Sequence, residues 1–262
     1  MSTPPPPRYV AAAAQTPAIA LPSVVEVEVN SRCNRACSYC PVSVLPAPPV
    51  PTFMSDAVFE HLLTGLAEWR FDGRFSYHLY NEPLLRRDLE RLARATASRL
   101  PDAHQVLYTN GDLLTPQRYQ SLRDSGIAEF IVTRHDGDAE RVAPRPRQTV
   151  LVPAQLQLTN RGGTLPTRRI ALQTPLQTPC YAPSEMLIVA ADGAVLLCYE
   201  DARRQHAMGN ITERPLADIW TSPRFVELRA RLAAGARAAA GGICAVCDNC
   251  AHDRAGTSWF AL

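Results

Sequence analysis

Extended apolar segments alternate with helical segments through about residue 165 of this chain. Strand-like segments are predicted at residues 24–29, 75–80, 105–108, 128–132 and 148–158. Apolar residues at helical spacing predict helices at residues 55–69, 89–100 and 116–125. Such a chain folds as a parallel sheet flanked by helices, because each helix returns the chain to the edge where the next strand begins. The sequence therefore predicts an α/β fold.

Polar residues stand at the carboxyl ends of several of these predicted strands. The polar segments begin at Asn81, Thr109, Thr133 and Asn160. Parallel α/β proteins place their binding and catalytic groups at this edge of the sheet. We therefore expect the functional site to lie there.

The composition is that of a globular protein without a strong charge preference. Of its 262 residues 46% are hydrophobic and 20% are charged, and the formal net charge is +2. This balance argues against nucleic acid or an acidic membrane surface as a partner, and no apolar run approaches the roughly 18–20 residues of a membrane span. Residues 1–20 are predicted to be a flexible Pro/Ala-rich tail, not a secretory signal. We expect a cytoplasmic protein whose eight cysteines are metal ligands or catalytic thiols.

Three cysteines lie together directly after the first predicted strand. Cys33, Cys37 and Cys40 form a CxxxCxxC motif in one short loop. Three thiolates are one short of the four that a closed zinc or iron–sulfur site uses, and an iron with an open position can bind a reactant. A zinc site that borrows a distant fourth ligand is the alternative.

This spacing, with the aromatic Tyr39 before the last cysteine, resembles the cluster loop of the radical S-adenosylmethionine (radical SAM) superfamily. The resemblance implies a partial (β/α) barrel and a 4Fe–4S cluster whose open iron binds S-adenosylmethionine, which is split into a 5′-deoxyadenosyl radical. It also implies cofactor contacts from Tyr39 and Asn81, from Glu82 to the amino group, and from Thr133 to the ribose. The paired glycines usual beside this glutamate are absent here, and the alternative for Glu82 is a solvated loop carboxylate.

The sequence pattern changes near residue 165. Two strand-like segments, at residues 186–190 and 194–198, flank Asp192-Gly193, which is a strong hairpin signal. A helical segment follows at residues 215–234, and a cysteine-rich stretch comes after it. We therefore predict three units, which are a tail at residues 1–20, a sheet domain at 21–170 and a small metal-binding domain at 171–262.

Four cysteines of the C-terminal unit form a second set, namely Cys180, Cys198, Cys244 and Cys247. With a hairpin and a helix among them, the stretch at residues 179–250 resembles the SPASM/twitch extension found in one branch of the same superfamily. The short twitch form implies one auxiliary 4Fe–4S cluster on these four cysteines, so that two such clusters are expected in the chain. A structural zinc ribbon is the alternative, because hairpin cysteines and a CxxC pair also suit zinc.

Twitch-type members of this size include dehydrogenases and epimerases that act on aminocyclitols and aminoglycoside sugars. Both reactions begin with hydrogen abstraction from a ring carbon. The first cluster would take three of the eight cysteines and the auxiliary cluster four, which leaves Cys250 unassigned. We expect Cys250 to return a hydrogen atom to the opposite face, which predicts a radical SAM epimerase, an isomerase of antibiotic biosynthesis. One alternative is a dehydrogenase that makes a ketone, and another is a zinc-stapled module without catalysis. Cys250 would then be an idle thiol or a cluster ligand in place of Cys180.

The resemblance to the dehydrogenases implies three substrate contacts, and the position of a strand end suggests a fourth. Tyr199 and Glu200 follow the second auxiliary cysteine, and Arg161 follows the last predicted strand. Tyr108 ends another strand. A carboxylate would pair with a cationic aminosugar through charge-assisted hydrogen bonds. The expected partners are thus a small aminoglycoside or aminocyclitol and an external electron donor of the flavodoxin or ferredoxin type.

Overall fold

Strands and α-helices alternate along the chain between Val24 and Thr133. The computed structural model describes residues 8–10, 19–46, 52–165 and 175–258. Its strands are β1 (Tyr9–Val10), β2 (Ile19–Ala20), β3 (Val24–Val27), β4 (Arg74–Ser76), β5 (His104–Thr109), β6 (Glu129–Thr133), β7 (Gln148–Leu151), β8 (Met186–Val189), β9 (Ala194–Leu196) and β10 (Ala207–Asn210).

Strands β3 to β10 form one sheet in the described part of the chain, in the spatial order β10-β9-β8-β3-β4-β5-β6-β7. The six strands from β8 to β7 are parallel, and β9 and β10 are antiparallel. Strands β3 and β8 are buried along their whole length, as parallel strands covered on both faces are. The predicted α/β fold with a parallel sheet is confirmed.

Seven helices are described, and the first three return the chain between parallel strands. They are α1 (Asp56–Glu68), α2 (Leu89–Arg99), α3 (Pro116–Asp124), α4 (Ala182–Glu185), α5 (Leu216–Trp220), α6 (Pro223–Ala233) and α7 (Arg237–Ala240). Helix α1 begins where the Ser55 hydroxyl accepts a hydrogen bond of 3.2 Å from the N–H of Val58, which is a typical N-cap. Leu62 and Leu66 lie on the face of α1 that packs into the core, and both are fully buried. None of the helices in these described ranges combines the length and apolar character needed to cross a lipid bilayer.

The C-terminal hairpin extends the sheet. Strand β8 pairs in parallel with β3, so that Val24 lies opposite Met186. The turn from β8 to β9 contains Gly193 with a φ of +86°, a conformation in which a side chain would be strained. The predicted Asp192-Gly193 hairpin is confirmed, and it brings the C-terminal region beside the strand that precedes the three-cysteine loop.

Several elements differ in extent from the prediction. The helix predicted at residues 215–234 is two helices, α5 and α6, because Pro223 begins α6 and disfavours a helical conformation in the residue before it. The predicted strand at residues 75–80 ends early in β4, and that at 148–158 ends with β7. In the predicted tail, β1 and β2 form an antiparallel pair. Most of the predicted boundary near 165–175 lies outside the described residues.

Candidate active site

The three-cysteine loop follows β3 at its carboxyl end. Cys33, Cys37 and Cys40 are half-buried, and the N–H of Arg35 lies 3.4 Å from the sulfur of Cys33. The Arg35 guanidinium donates two hydrogen bonds of 2.6 Å to the carboxylate of Asp112, which follows β5. This bidentate pair holds the loop against a neighbouring strand end.

The donor chemistry of this loop fits an iron–sulfur cluster. Burial raises the pKa of all three thiols, so they would release protons when they bind metal. Three thiolates supply all but one of the ligands of a cysteine-bound cluster and leave one iron open. In the described residues, no group of three or more Cys, His, Asp or Glu side chains converges on a single metal position.

Glu82, a predicted S-adenosylmethionine contact, is buried beside this loop. Its carboxylate accepts hydrogen bonds from the Thr109 hydroxyl (2.7 Å) and the N–H of Asn110 (2.8 Å). It also accepts one from the N–H of Leu84 (3.0 Å). Burial raises the pKa of Glu82. The residue therefore bridges two strand ends and is not a solvated loop carboxylate.

The other predicted cofactor contacts lie on neighbouring strand ends. The Asn81 side chain accepts a hydrogen bond of 2.8 Å from the N–H of Leu79 and so closes the turn after β4. Thr133 is half-buried at the end of β6. The Tyr39 hydroxyl is hydrogen-bonded to Nδ1 of His135, which brings the end of β6 beside the cysteine loop.

Asn110, Asp112 and His135 are functional candidates that the sequence analysis missed. The Asn110 amide donates a hydrogen bond of 2.7 Å to Asn34 and lies 4.0 Å from the sulfur of Cys33. All three follow the carboxyl end of a parallel strand, and that position is the signal that could have identified them.

Four cysteines of the C-terminal region line one cavity, here called the four-cysteine cavity. They are Cys180, Cys198, Cys244 and Cys247. Burial raises the pKa of all four thiols. Leu232 and Ile243 add apolar walls. Four thiols around one cavity fit a second cysteine-bound cluster.

A polar pocket of about 120 Å³ shares lining residues with cavities at both cysteine sites. Its lining includes the predicted contacts Arg161, Tyr199 and Tyr108, together with Glu26, His78 and Tyr80. Tyr199 also lines the four-cysteine cavity. Tyr80 also lines a cavity of about 550 Å³ that reaches Cys33. A substrate in the polar pocket would thus lie between the two sets of cysteines.

Glu200, the fourth predicted substrate contact, lies behind the polar pocket. Its buried carboxylate accepts hydrogen bonds from the Thr159 hydroxyl (2.9 Å) and the Asn249 amide (2.8 Å). Nη1 of Arg161 lies 3.8 Å from the same carboxylate. Arg161 has a φ of +49°, and a Cβ on Gly162 would lie 2.8 Å from the carbonyl oxygen of Glu200. A glycine at this tight turn therefore allows Arg161 to reach Glu200.

Glu26 and His78 form a close carboxyl–imidazole pair in the polar pocket. Oε1 of Glu26 lies 3.9 Å from Nε2 of His78 and 3.9 Å from Nη2 of Arg74. Burial raises the pKa of Glu26 to about 7 and lowers the pKa of His78 to about 3, and the charge of Arg74 lowers both. The imidazole is therefore neutral near pH 7, where the carboxyl group can gain or lose a proton.

Cys250 lies outside these sites. Its side chain is exposed, and its thiol donates a hydrogen bond of 3.7 Å to the carbonyl oxygen of Asp248. It is absent from the described residues that line the polar pocket and the four-cysteine cavity. A hydrogen donor must reach the substrate carbon, so this position does not suit the predicted donor role.

Known families match the two halves of the chain. The radical SAM superfamily matches residues 27–169, and SPASM, an iron–sulfur cluster-binding domain, matches residues 180–251. The chain belongs to the radical SAM superfamily. The two matches imply iron–sulfur clusters and S-adenosylmethionine as its cofactors, and they replace the zinc alternatives.

Similar proteins extend this result to nearly the whole chain. The S-adenosyl-L-methionine-dependent 2-deoxy-scyllo-inosamine dehydrogenase of Niallia circulans is 38% identical over 237 residues, which are 87% of this chain and 92% of that protein. The crystal structure of BtrN in complex with AdoMet and 2-DOIA matches with a TM-score of 0.81 at 37% identity, covering 89% of this chain and 96% of that one. Selenomethionine BtrN in an open conformation gives a TM-score of 0.73 at 34% identity, over 91% and 97% of the two chains.

The epimerase prediction is wrong. The Niallia circulans relative is named as a dehydrogenase, which supports the oxidation that was the alternative. The prediction rested on counting cysteines, and the count identified Cys250 as spare without showing where it lies. Its exposed thiol lies away from the polar pocket, so the spare cysteine is not a reason to expect hydrogen return.

Proposed function

We propose that this chain is a radical SAM dehydrogenase that oxidises a secondary alcohol of a small aminocyclitol to a ketone. The observation that carries the proposal is its 38% identity, across 92% of that relative's length, to 2-deoxy-scyllo-inosamine dehydrogenase. The polar pocket supports it, because carboxyl, guanidinium and phenol groups line a pocket that shares Tyr80 with the cavity reaching Cys33 and Tyr199 with the four-cysteine cavity.

Two 4Fe–4S clusters fit the two cysteine sites. The loop of Cys33, Cys37 and Cys40 would hold the first with S-adenosylmethionine, and the four-cysteine cavity would hold the second. When bound, these groups supply a 5′-deoxyadenosyl radical that removes a hydrogen atom from carbon, and an acceptor for one electron.

The residues around the first site would hold S-adenosylmethionine. Tyr39 within the loop is hydrogen-bonded to His135 after β6, Thr133 ends β6, and Asn81 shapes the turn after β4. Glu82 contributes through the strand ends that its carboxylate joins. A carboxylate has about four lone-pair positions, and three donors within the protein occupy three of them. The carboxylate of Glu82 can therefore accept one further hydrogen bond, from the amino group of S-adenosylmethionine.

The polar pocket suits a substrate that carries hydroxyl and amino groups. Arg161 offers guanidinium donors to a substrate oxygen, and Glu200 behind it offers negative charge to an ammonium group. Tyr108 and Tyr199 present rings with hydroxyl groups on the pocket wall. Together these side chains would orient a polyhydroxylated amine.

Glu26 is the group to which we assign the hydroxyl proton. Oxidation of a secondary alcohol removes a hydrogen atom from carbon, an electron, and a proton from oxygen. Glu26 lines the pocket with only 6% of its surface exposed, and Arg74 and His78 approach it no closer than 3.9 Å. With a pKa of about 7 it can accept a proton from a substrate oxygen near neutral pH.

An external electron donor of the flavodoxin or ferredoxin type belongs to this proposal, because reductive cleavage of S-adenosylmethionine takes up one electron. A reducing cytoplasm would keep the seven ligand cysteines available as thiols. The substrate would be a small molecule, with neither nucleic acid nor membrane as a partner.

The test is anaerobic incubation of the reconstituted protein with 2-deoxy-scyllo-inosamine, S-adenosylmethionine and dithionite, followed by mass spectrometry. The expected product lacks two hydrogen atoms and forms in step with 5′-deoxyadenosine. A product of unchanged composition that carries deuterium from a deuterium oxide buffer would contradict oxidation. Formation of 5′-deoxyadenosine without any change in the aminocyclitol would contradict the substrate class.

A further inference from the structure

Arg237 is a buried guanidinium in the wall of the four-cysteine cavity. It is 1% exposed and begins helix α7. It donates hydrogen bonds to the carbonyl oxygens of Thr178 (3.0 Å), Pro179 (3.0 Å) and Asn249 (2.8 Å). A fourth donor contact reaches the Thr178 hydroxyl at 3.3 Å. These acceptors are neutral, so they satisfy the donors without balancing the charge.

Within the described ranges, Arg237 has no carboxylate partner within 4.0 Å. Glu200 is the carboxylate that shares the cavity wall, but Thr159, Asn249 and Arg161 already contact it. A buried charge is costly unless an opposite charge lies nearby. The cavity lining therefore contains an unbalanced cation beside four sulfur atoms.

Arg229 shows how a second buried arginine in the same region is balanced. It also donates to backbone carbonyls, those of Pro183 (2.8 Å) and Trp220 (2.6 Å). Its guanidinium carbon, however, lies 3.6 Å from the ring centroid of Trp220 and 3.7 Å from that of Phe225. These ring faces attract the cation. Arg237 has no such described ring stacked on it, and Arg229 does not line the cavity.

We propose that Arg237 is the electrostatic partner of the iron–sulfur cluster in the four-cysteine cavity and that its charge raises the reduction potential of that cluster. The inference rests on the proposed function for the presence of this second cluster.

The direction of the effect follows from charge. Metal binding removes the protons of the thiols, so four thiolates bring negative charge next to the guanidinium. The attraction is strong because the cavity wall is buried and poorly screened. Reduction adds one more negative charge, so a fixed cation stabilises the reduced cluster more than the oxidised cluster. A higher potential suits a cluster whose proposed role is to accept an electron.

Arg237 also joins two segments that carry cluster ligands. Pro179 precedes Cys180, and Asn249 lies two residues beyond Cys247. The guanidinium bonds to the carbonyl oxygens of both segments. The test must therefore separate the charge from these positioning contacts.

The experiment uses full-length protein with Cys33→Ala, Cys37→Ala and Cys40→Ala, so that signals from the four-cysteine cavity are observed alone. The reduction potential is measured by electron paramagnetic resonance during a redox titration, together with iron content. Arg237→Gln should shift the equilibrium at least tenfold toward the oxidised cluster, which for one electron is about 59 mV. Arg237→Lys keeps the charge and should remain within about threefold of the parent, about 28 mV on the same scale. Arg229→Gln is the matched control and should leave the potential unchanged.

An unchanged potential in an iron-replete Arg237→Gln protein would overturn the inference. If Arg237→Gln fails to keep iron, Arg237→Lys decides. Retention of iron at the parental potential supports the role of charge, and loss of iron or a low potential in both variants overturns it. The proposed function can fail independently of this inference. That is the outcome if the potential shifts as expected but the protein with all its ligand cysteines makes no ketone.

Discussion

Nη1 of Arg161 lies 3.8 Å from Oε1 of Glu200, and this pair joins the polar pocket to the wall of the four-cysteine cavity. The Arg161 guanidinium also lies 5.7 Å from the ring centroid of Tyr199, which lines both spaces. The polar pocket and the four-cysteine cavity are therefore separated by one layer of side chains. A change of charge in this layer should affect substrate binding while the sulfur ligands stay in place.

Glu200→Gln should weaken binding of the aminocyclitol. Glutamine can still accept a hydrogen bond from Thr159, but it removes the negative charge that we assign to an ammonium group. Glu200 lies one side chain behind the pocket, so the loss is an electrostatic attraction of about 1 kcal/mol rather than a direct hydrogen bond, and KM should rise roughly fivefold. Steady-state kinetics with iron analysis checks this. An unchanged KM with full iron content would place the ammonium group elsewhere.

Asp112→Asn should reduce iron occupancy of the three-cysteine loop. It removes the bidentate partner of Arg35, whose contacts position the loop. Both side chains are partly exposed, so the pair contributes only about 1 kcal/mol to stability, and folding should persist. Iron analysis and electron paramagnetic resonance should show loss at the first site alone. Glu60→Gln is the matched control, because Glu60 of α1 pairs with Arg99 of α2 at 2.8 Å in another partly exposed ion pair. Equal iron loss in both variants would contradict a specific role for Asp112.

Cys250→Ala should oxidise the aminocyclitol at a rate within about twofold of the parent, because exposed substitutions away from special features change little. The thiol is exposed and contacts the Asp248 carbonyl, not the polar pocket. Rate measurements and iron content check the prediction. Loss of iron from the four-cysteine cavity would show instead that Cys250 serves as a ligand.

The alternation of strands and helices could be predicted because the period of apolar residues is a local property. Ser55 shows this for helix α1, whose start follows from a capping side chain three residues from its donor. The three-cysteine loop was predictable for a similar reason, since Cys33 and Cys40 are neighbours along the chain and need no tertiary contact to meet. Both kinds of signal are contained in a few consecutive residues.

The interior polar groups could not be predicted in this way. Glu26 and Glu28 alternate with valines, a pattern typical of a strand with one face in solvent, yet each is 6% exposed. Alternation shows that the two faces of a strand differ, but not that both faces are buried, as they are here. Arg237 has the same difficulty, because its position beside four distant cysteines depends on how the C-terminal segments pack.

Glu26 should make both ketone formation and stability depend on pH. The groups that face it are Arg74 and His78, Tyr108 on β5, and Arg161 across the pocket. His78, with a pKa of about 3, and Tyr108, with a pKa of about 12, do not titrate near neutral pH. The carboxyl of Glu26, with a pKa of about 7, does.

Ketone formation should rise as pH increases through about 7, because the carboxylate form of Glu26 is the one that accepts a proton. Glu26→Gln should lower kcat/KM by roughly 100-fold, within the range for a lost general base, and should remove this pH dependence. Formation of 5′-deoxyadenosine should continue, uncoupled from ketone. Glu26→Asp should restore part of the rate with the pH dependence. A pH profile of Glu26→Gln that matches the parent would assign the titration to another group.

Stability should change in the opposite direction. The native pKa of Glu26, about 7, lies above its ordinary value of 4.5. The folded protein therefore holds a proton that the unfolded chain releases, and stability is present below about pH 4.5 and falls as pH rises through 7. Glu26→Gln stays neutral, so its gain in unfolding free energy over the parent should grow by on the order of 3 kcal/mol between pH 4 and pH 8. Urea unfolding at the two pH values measures this difference. A gain that does not grow with pH would mean that folding does not raise the pKa of Glu26.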